Sequence, residues 1–205
     1  MGGPGSPSAE ADHPGHASFG SRALTTSAEP PLCVDLDGTL IRGDTLRISL
    51  RLLALRSPWL VPLIPFALLG GRPALKRFVA TRFVPDAATL PWREDVLDFL
   101  RAERARGRRI CLVTAADRLV AESVATHLGL FDVVIATELG NNLKGARKVD
   151  AICKILSNKE FDYIGDSMAD VPVFRAARYS YLVVPGSSLR RAVRTGCVVK
   201  GEFPA

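Results

Sequence analysis

Five short, largely apolar runs punctuate the chain: Pro31–Val34, Arg109–Thr114, Asp132–Ala136, Phe161–Ile164 and Tyr181–Val184. A short run that stays apolar at nearly every position, and not only at alternate ones, fits a strand buried on both faces. The stretches between them change period. Val96, Leu97, Phe99 and Leu100 mark a helix from about Trp92 to a cap at Gly107, and Asp117 to Leu128 reads as a helix stopped by Gly129. Val149, Ile152, Cys153, Ile155 and Leu156 mark another, and a basic helix carrying Arg190, Arg191 and Arg194 follows the fifth run. Strands alternating with helices of this length predict an α/β chain with a parallel sheet and right-handed crossovers. From Gly201 the tail, residues 201–205, is expected to fray.

The segment between the first two strands breaks this rhythm. Asp44 can cap a helix in which Leu46, Leu50, Leu53 and Leu55 are interleaved with Arg47, Arg51 and Arg56. Pro58 to Leu69 then form a proline-broken apolar run between Arg56 and Arg72, and Pro73 opens a helix with Leu75, Phe78 and Val79 at helical spacing. A spanning helix needs about 20 apolar residues, so this run is too short and too broken to cross a bilayer. Two readings remain open for it: a lid of short helices over a site, or a lid that also touches a membrane interface through residues 58–71. Residues 1–30 are rich in Gly, Pro, Ser and Ala, contain His13 and His16 without further ligand partners, and read as a disordered leader lacking a secretory apolar segment.

Length and charge narrow the class. The 205 residues suit one domain with a small insert, and the net charge of +6 favours anionic partners without choosing among phosphate esters, nucleic acid and lipid. Arg101, Arg104, Arg106, Arg108 and Arg109 cluster at a helix end, where cations suit the dipole; a binding patch is the alternative. Without interleaved aromatics or a reading motif, they predict no nucleic-acid partner. Cys33, Cys111, Cys153 and Cys197 show no C-x-x-C spacing and read as small hydrophobes in a reducing compartment. His127, on a packed helix, reads as structural.

The chemistry concentrates at Val34-Asp35-Leu36-Asp37-Gly38-Thr39-Leu40. Two side chains two residues apart in extended chain point the same way, so Asp35 and Asp37 face one small volume. Such a pair repels itself unless a cation or phosphate chemistry employs it. Thr114 closes the second apolar run and Asp166 follows the fourth, in Gly165-Asp166-Ser167-Met168-Ala169-Asp170. Ligands of open parallel sheets bind beyond the carboxyl ends of the strands, where Asp35, Thr114 and Asp166 all fall.

These motifs resemble those of the haloacid dehalogenase-like (HAD) hydrolases: D-L-D-G-T, a strand ending in Thr, a Lys after the third strand, and G-D-x-x-x-D. The resemblance implies a Rossmann-like three-layer α/β/α core over residues 31–43 and 91–200 with a helical cap over 44–90, as in the phosphoserine-phosphatase-like group. It implies Mg²⁺-dependent phosphomonoester hydrolysis, or phosphoryl transfer to another acceptor. Asp35 would be the nucleophile forming an aspartyl phosphate, and Asp37 the general acid and base. Mg²⁺ would be held by Asp35, the Asp37 backbone carbonyl and Asp166, with Asp170 behind them. Thr114 and Lys144 would bind the phosphoryl oxygens; Leu143-Lys144-Gly145 favours Lys144 over the alternative, Lys148, one helical turn on.

The stretches G-R-P-A-L-K-R-F, R-R-I-C-L-V-T-A-A-D-R, N-L-K-G-A-R-K and F-D-Y-I-G-D-S-M-A-D-V-P-V-F-R-A-A are similar to the HAD domain fused ahead of UbiA-type prenyltransferases in bacteria. That similarity implies an isoprenoid or other lipid-linked phosphate as substrate and a prenyltransferase as partner, with the chain a membrane-docked accessory domain as the competing role. A cytoplasmic protein, or one peripheral to the inner membrane face, is the corresponding expectation.

Overall fold

The computed structural model describes residues 29–138, 142–156 and 160–204. Six parallel strands form one sheet: β1 (Leu32–Val34), β2 (Ile110–Asp117), β3 (Val133–Thr137), β4 (Asp162–Gly165), β5 (Ser180–Val183) and β6 (Val199–Phe203), in the order β3-β2-β1-β4-β5-β6. The central strands are buried on both faces, and the alternation of their side chains divides the core. Leu32, Val34, Ile110, Leu112 and Ile164 enter one apolar cluster, while Cys33, Cys111, Val113 and Tyr163 enter the other.

Each cluster is closed by helices. On the first face lie α4 (Glu94–Ala105) and α5 (Arg118–Leu128), contributing Val96, Leu97, Leu100, Val120 and Val124. On the second lie α6 (Ala146–Ile155), α7 (Val171–Ala176) and α8 (Ser187–Val193), contributing Ile152, Phe174 and Leu189. Helix α5 shows how sequence sets its bounds: the Asp117 carboxylate accepts the Leu119 N–H at 3.0 Å, and Gly129 takes the left-handed conformation (φ 62°) that ends it. His127 stacks beside Trp92, with ring centroids 6.1 Å apart.

Between β1 and α4 stand α1 (Thr45–Arg56), a 3₁₀ turn (Pro58–Leu63), α2 (Ile64–Leu69) and α3 (Gly71–Ala80). They build a small core of their own around Leu53, Leu75 and Val79, with Leu60, Ile64 and Ala67 packed against it. Arg77 of α3 meets Asp117 at the start of α5, at 3.2 Å, tying this unit to the sheet.

Two expectations are corrected. The tail does not fray from Gly201: Val199–Phe203 pair in parallel with β5, extending the core past residue 200. The pairing aligns Leu182 with Glu202 and Val183 with Phe203, whose ring packs edge-on against Phe99. Such an edge strand, only partly buried, has no continuous apolar run to announce it. The second is β2, which runs three residues past Thr114, with its register to β3 broken between Val113 and Asp117. The leader lies outside the described residues except for its end, where Pro30 is buried and its carbonyl accepts from Arg108.

The arginine cluster is not a free patch. Arg101 pairs with Asp98, Arg104 with Asp132 and Arg106 with Glu103. Arg108 is buried between Glu103 and Asp162, and Asp162 also accepts from Arg178. This network staples the end of the sheet opposite the acidic loops.

Candidate active site

Strand order places the acidic residues. The chain leaves β1 to build β2 and β3 on one side, then returns to build β4 to β6 on the other, so the crevice opens where β1 and β4 lie side by side. Val34 is in register with Ile164, which brings the loops after these strands together. The Asp35 N–H donates to the Ile164 carbonyl at 3.1 Å, fixing the residue at the strand end. Carboxylate oxygens of Asp35, Asp166 and Asp170 all lie within 4.8 Å of one another.

Gly38 makes this approach possible. Its φ of 78° is left-handed, and a Cβ there would sit 2.1 Å from Asp166 Oδ2. Thr39 Oγ1 donates to Asp166 Oδ1 at 3.3 Å. Asp37 is turned toward α1, where its Oδ1 accepts the Thr45 N–H at 2.7 Å in that helix's first turn. Thr114 is fully buried, and its hydroxyl accepts the Ala116 N–H at 3.0 Å within the irregular part of β2.

The cation in the cluster is Lys148, not Lys144. Lys148 is buried, and its ammonium lies 3.1 Å from Asp35 Oδ1, 3.0 Å from Asp170 Oδ1 and 2.8 Å from the Tyr163 hydroxyl. Lys144 is exposed, because Gly145 turns the chain with φ 61° and α6 begins only at Ala146. The two lysines therefore do not share a helix face; Lys148 alone occupies the first turn and points under the sheet edge. A cation near a helix N-terminus opposes the dipole, and here two buried carboxylates offset that cost. Asp170 is engaged on both oxygens, since Tyr163 also donates to Oδ1 at 3.0 Å and Ser167 to Oδ2 at 2.9 Å.

Crowded charge shifts the acids. Burial pushes the Asp35 carboxyl up to about 7 against the pull of Lys148, with Asp170, Asp37 and Asp166 adding to the push. Burial and Asp170 bring Asp166 to about 6. Burial also raises Asp37, while the Thr45 N–H draws it down. Excess negative charge on hard oxygens in a buried crevice is what a small divalent cation neutralises, and the Asp35, Asp166 and Asp170 carboxylates are close enough together to hold one.

A small, partly open pocket beside Asp37 is lined by α1 and α3. Asp37, Asp44, Ser49, Lys76 and Asp117 supply its polar groups, and Leu46, Val79, Ala80, Ala116 and Val120 its apolar wall. Lys76, on α3, donates to the Ala115 carbonyl, and burial lowers its pKa. The Ser49 hydroxyl is buried without a hydrogen-bond partner among the described residues. Sequence reasoning passed over Lys76, Ser49 and Tyr163, since one Lys or Ser on an apolar helix has no spacing signal; only the packing of α3 on β2 and of α1 against α3 brings the first two to the pocket beside Asp37.

An open parallel sheet with an acidic crevice at its switch point and a helical insert after the first strand is a Rossmann-like α/β architecture with a candidate site for an anionic ligand bound through a cation. The chain belongs to the haloacid dehalogenase-like hydrolases, whose family pattern matches residues 32–175. It is 39% identical over 165 residues to the uncharacterized protein y4nM of Sinorhizobium fredii, covering 80% of this chain and 32% of that one. It thus spans about a third of that relative's length. Among solved structures it is similar to a Bordetella pertussis Tohama I protein of unknown function, at 20% identity and a TM-score of 0.67, over 83% of this chain and 97% of that one. CbbY from Rhodobacter sphaeroides in complex with phosphate follows at 16% and 0.60 (84% and 92%), and phosphoserine phosphatase in apo form at 15% and 0.58 (86% and 94%). At these identities the structural likeness establishes the fold.

Proposed function

We propose that the crevice hydrolyses a phosphomonoester in two displacements, with Asp35 as nucleophile. The observation that supports this best is the pairing of Asp35 with Lys148: a buried carboxyl that burial pushes up to about 7 is kept ionisable by one buried ammonium. In the first displacement an Asp35 oxygen bonds to phosphorus as the ester oxygen leaves, and Asp37 donates a proton to that leaving oxygen. In the second, Asp37 removes a proton from water, the water oxygen bonds to phosphorus, and the Asp35 oxygen is released. Burial raises the Asp37 pKa, which favours its holding a proton for the first step. In this reading Thr114 donates its hydroxyl proton to a phosphoryl oxygen. Mg²⁺, held by Asp35, Asp166 and the Asp37 carbonyl, would supply charge neutralisation on the phosphoryl oxygens. Asp170 orients Lys148, and Lys148 takes the phosphate-facing role first expected of Lys144.

The pocket bears on the substrate. Lys76 is a cation among the pocket's carboxylates, and Leu46, Val79, Ala80, Ala116 and Val120 give the pocket one apolar side, which supports a phosphate on an apolar alcohol, such as an isoprenoid or other lipid-linked phosphate, as the substrate class to test. The helical unit over residues 44–90 acts as the cap that excludes water from this space. Phosphate release from an aryl phosphate, with and without Mg²⁺, tests the chemistry. Asp35→Asn is expected to abolish Mg²⁺-dependent turnover, and unchanged turnover in that variant rules the mechanism out. A panel of isoprenyl phosphates against sugar and amino acid phosphates tests the substrate class.

A further inference from the structure

The outer surface of the helical insert is unlike the rest of the molecule. Trp59 and Phe66 are each 70% exposed and Leu69 is 85% exposed, with Leu55 and Leu63 beside them. These side chains are not surplus from a poorly packed unit. In the same segment Leu60, Ile64 and Ala67 already face the insert's own core, so the segment is apolar on both faces. A helix apolar all round is normally buried, and here the outer face is uncovered among the described residues.

The charges around it have one sign. From Thr45 to Pro85 the chain contains seven Lys or Arg and no Asp or Glu. Arg77 pairs with Asp117 and Lys76 turns inward. Arg47, Arg51, Arg56 and Arg72 are exposed and have no ion-pair partner among the described residues. Aromatic and aliphatic side chains ringed by unpaired arginines match an anionic bilayer interface: the rings enter the headgroup boundary and the guanidiniums stay at phosphate level. No helix among the described residues is long and apolar enough to cross a membrane, so contact from one side is the geometry available.

We propose that the tip formed by the end of α1, the Pro58–Leu63 turn and α2 docks this protein onto anionic phospholipid. Helix α1 runs from the crevice to that tip, and its 12 residues span about 18 Å. Docking therefore holds the pocket close above the bilayer while leaving the catalytic residues outside it. This inference stands apart from the hydrolase reading, since its surface shares no residue with the crevice.

The test is co-sedimentation of the full chain with vesicles of phosphatidylcholine alone and of phosphatidylcholine with 30% phosphatidylglycerol, a composition of about the density of anionic lipid that draws basic surfaces. Binding to the anionic vesicles alone, weakened about tenfold by Trp59→Gln with Phe66→Gln, and separately by Arg56→Gln with Arg72→Gln, is the expected result. A blue shift of Trp59 emission on binding, read in a Trp92→Phe background, would place the tip in the interface. Turnover of a soluble aryl phosphate should be unchanged in all four tip substitutions, which shows that they fold. Three outcomes overturn the proposal: no binding to either vesicle, binding that survives both pairs of substitutions, or self-association in sedimentation equilibrium that Trp59→Gln with Phe66→Gln abolishes.

Discussion

Replacing Lys148 by Met keeps the length and volume of the side chain but removes the cation that pairs with both Asp35 and Asp170. Without that ammonium the Asp35 carboxyl, which Lys148 draws down to about 7, is pushed higher still and must either stay charged in a buried site or take up a proton. Removing one partner of a buried pair costs about 3–5 kcal/mol, because the remaining charge is left uncompensated. For a chain of this size that corresponds to about 6–20 °C in Tm. At pH 5.5 the loss should shrink, since Asp35, already pushed up to about 7, takes a proton instead of remaining charged. Lys144→Met, at an exposed position, should stay within about 0.5 kcal/mol. The assay is urea unfolding of both variants without Mg²⁺ at the two pH values, alongside turnover at pH 7.5, where Lys148→Met should lose at least about a hundredfold in kcat. Adding Asp170→Asn to Lys148→Met removes a like charge and should recover about 1–2 kcal/mol of stability without recovering kcat. If Lys148→Met unfolds like the parent while Lys144→Met loses kcat, the pairing drawn from the geometry is wrong.

Three other perturbations probe separate parts of the structure. Gly38→Ala puts a methyl group into the space of Asp166 Oδ2 on a left-handed backbone; about 1–2 kcal/mol of stability and most of the Mg²⁺-dependent activity should go, and isothermal titration would show weakened Mg²⁺ binding. Asp35 and Asp166 hold their protons more tightly when folded than when unfolded. Their contribution to the metal-free protein is therefore fully present below about pH 4 and is lost as pH rises through about 6 to 7. Mg²⁺ must displace those protons, so at a hundredfold excess over its neutral-pH Kd it should stabilise by about 2.7 kcal/mol at pH 7.5 and by less at pH 5; an equal Tm gain at both would contradict the assignment. Asp162→Ala, at the far end of the sheet, leaves buried Arg108 paired with Glu103 and should cost about 1–3 kcal/mol, while in the fraction that remains folded KM for an aryl phosphate stays unchanged.

The sequence by itself determined the parallel core, the positions of most of its helices and the placement of Asp35 and Asp166 just past neighbouring strand ends, whereas Asp37, expected beside Asp35, is turned toward α1. The reason is local: continuous apolar runs of four to six residues and an Asp or Gly at the helix ends each impose their geometry on a few neighbouring bonds. What depended on tertiary structure had no such local expression. Lys144 and Lys148 look alike along the chain, and only the left-handed turn at Gly145 puts one outside and the other beneath Asp35. Strand β6 lacks an apolar run and exists because β5 offers it an edge. Arg108 reads as one more cation in a basic stretch until Glu103 and Asp162 close around it. Lys76 and Ser49 reach the pocket beside Asp37 because α3 packs on β2 and α1 against α3, and burial and long-range pairing of that kind are properties of the folded whole.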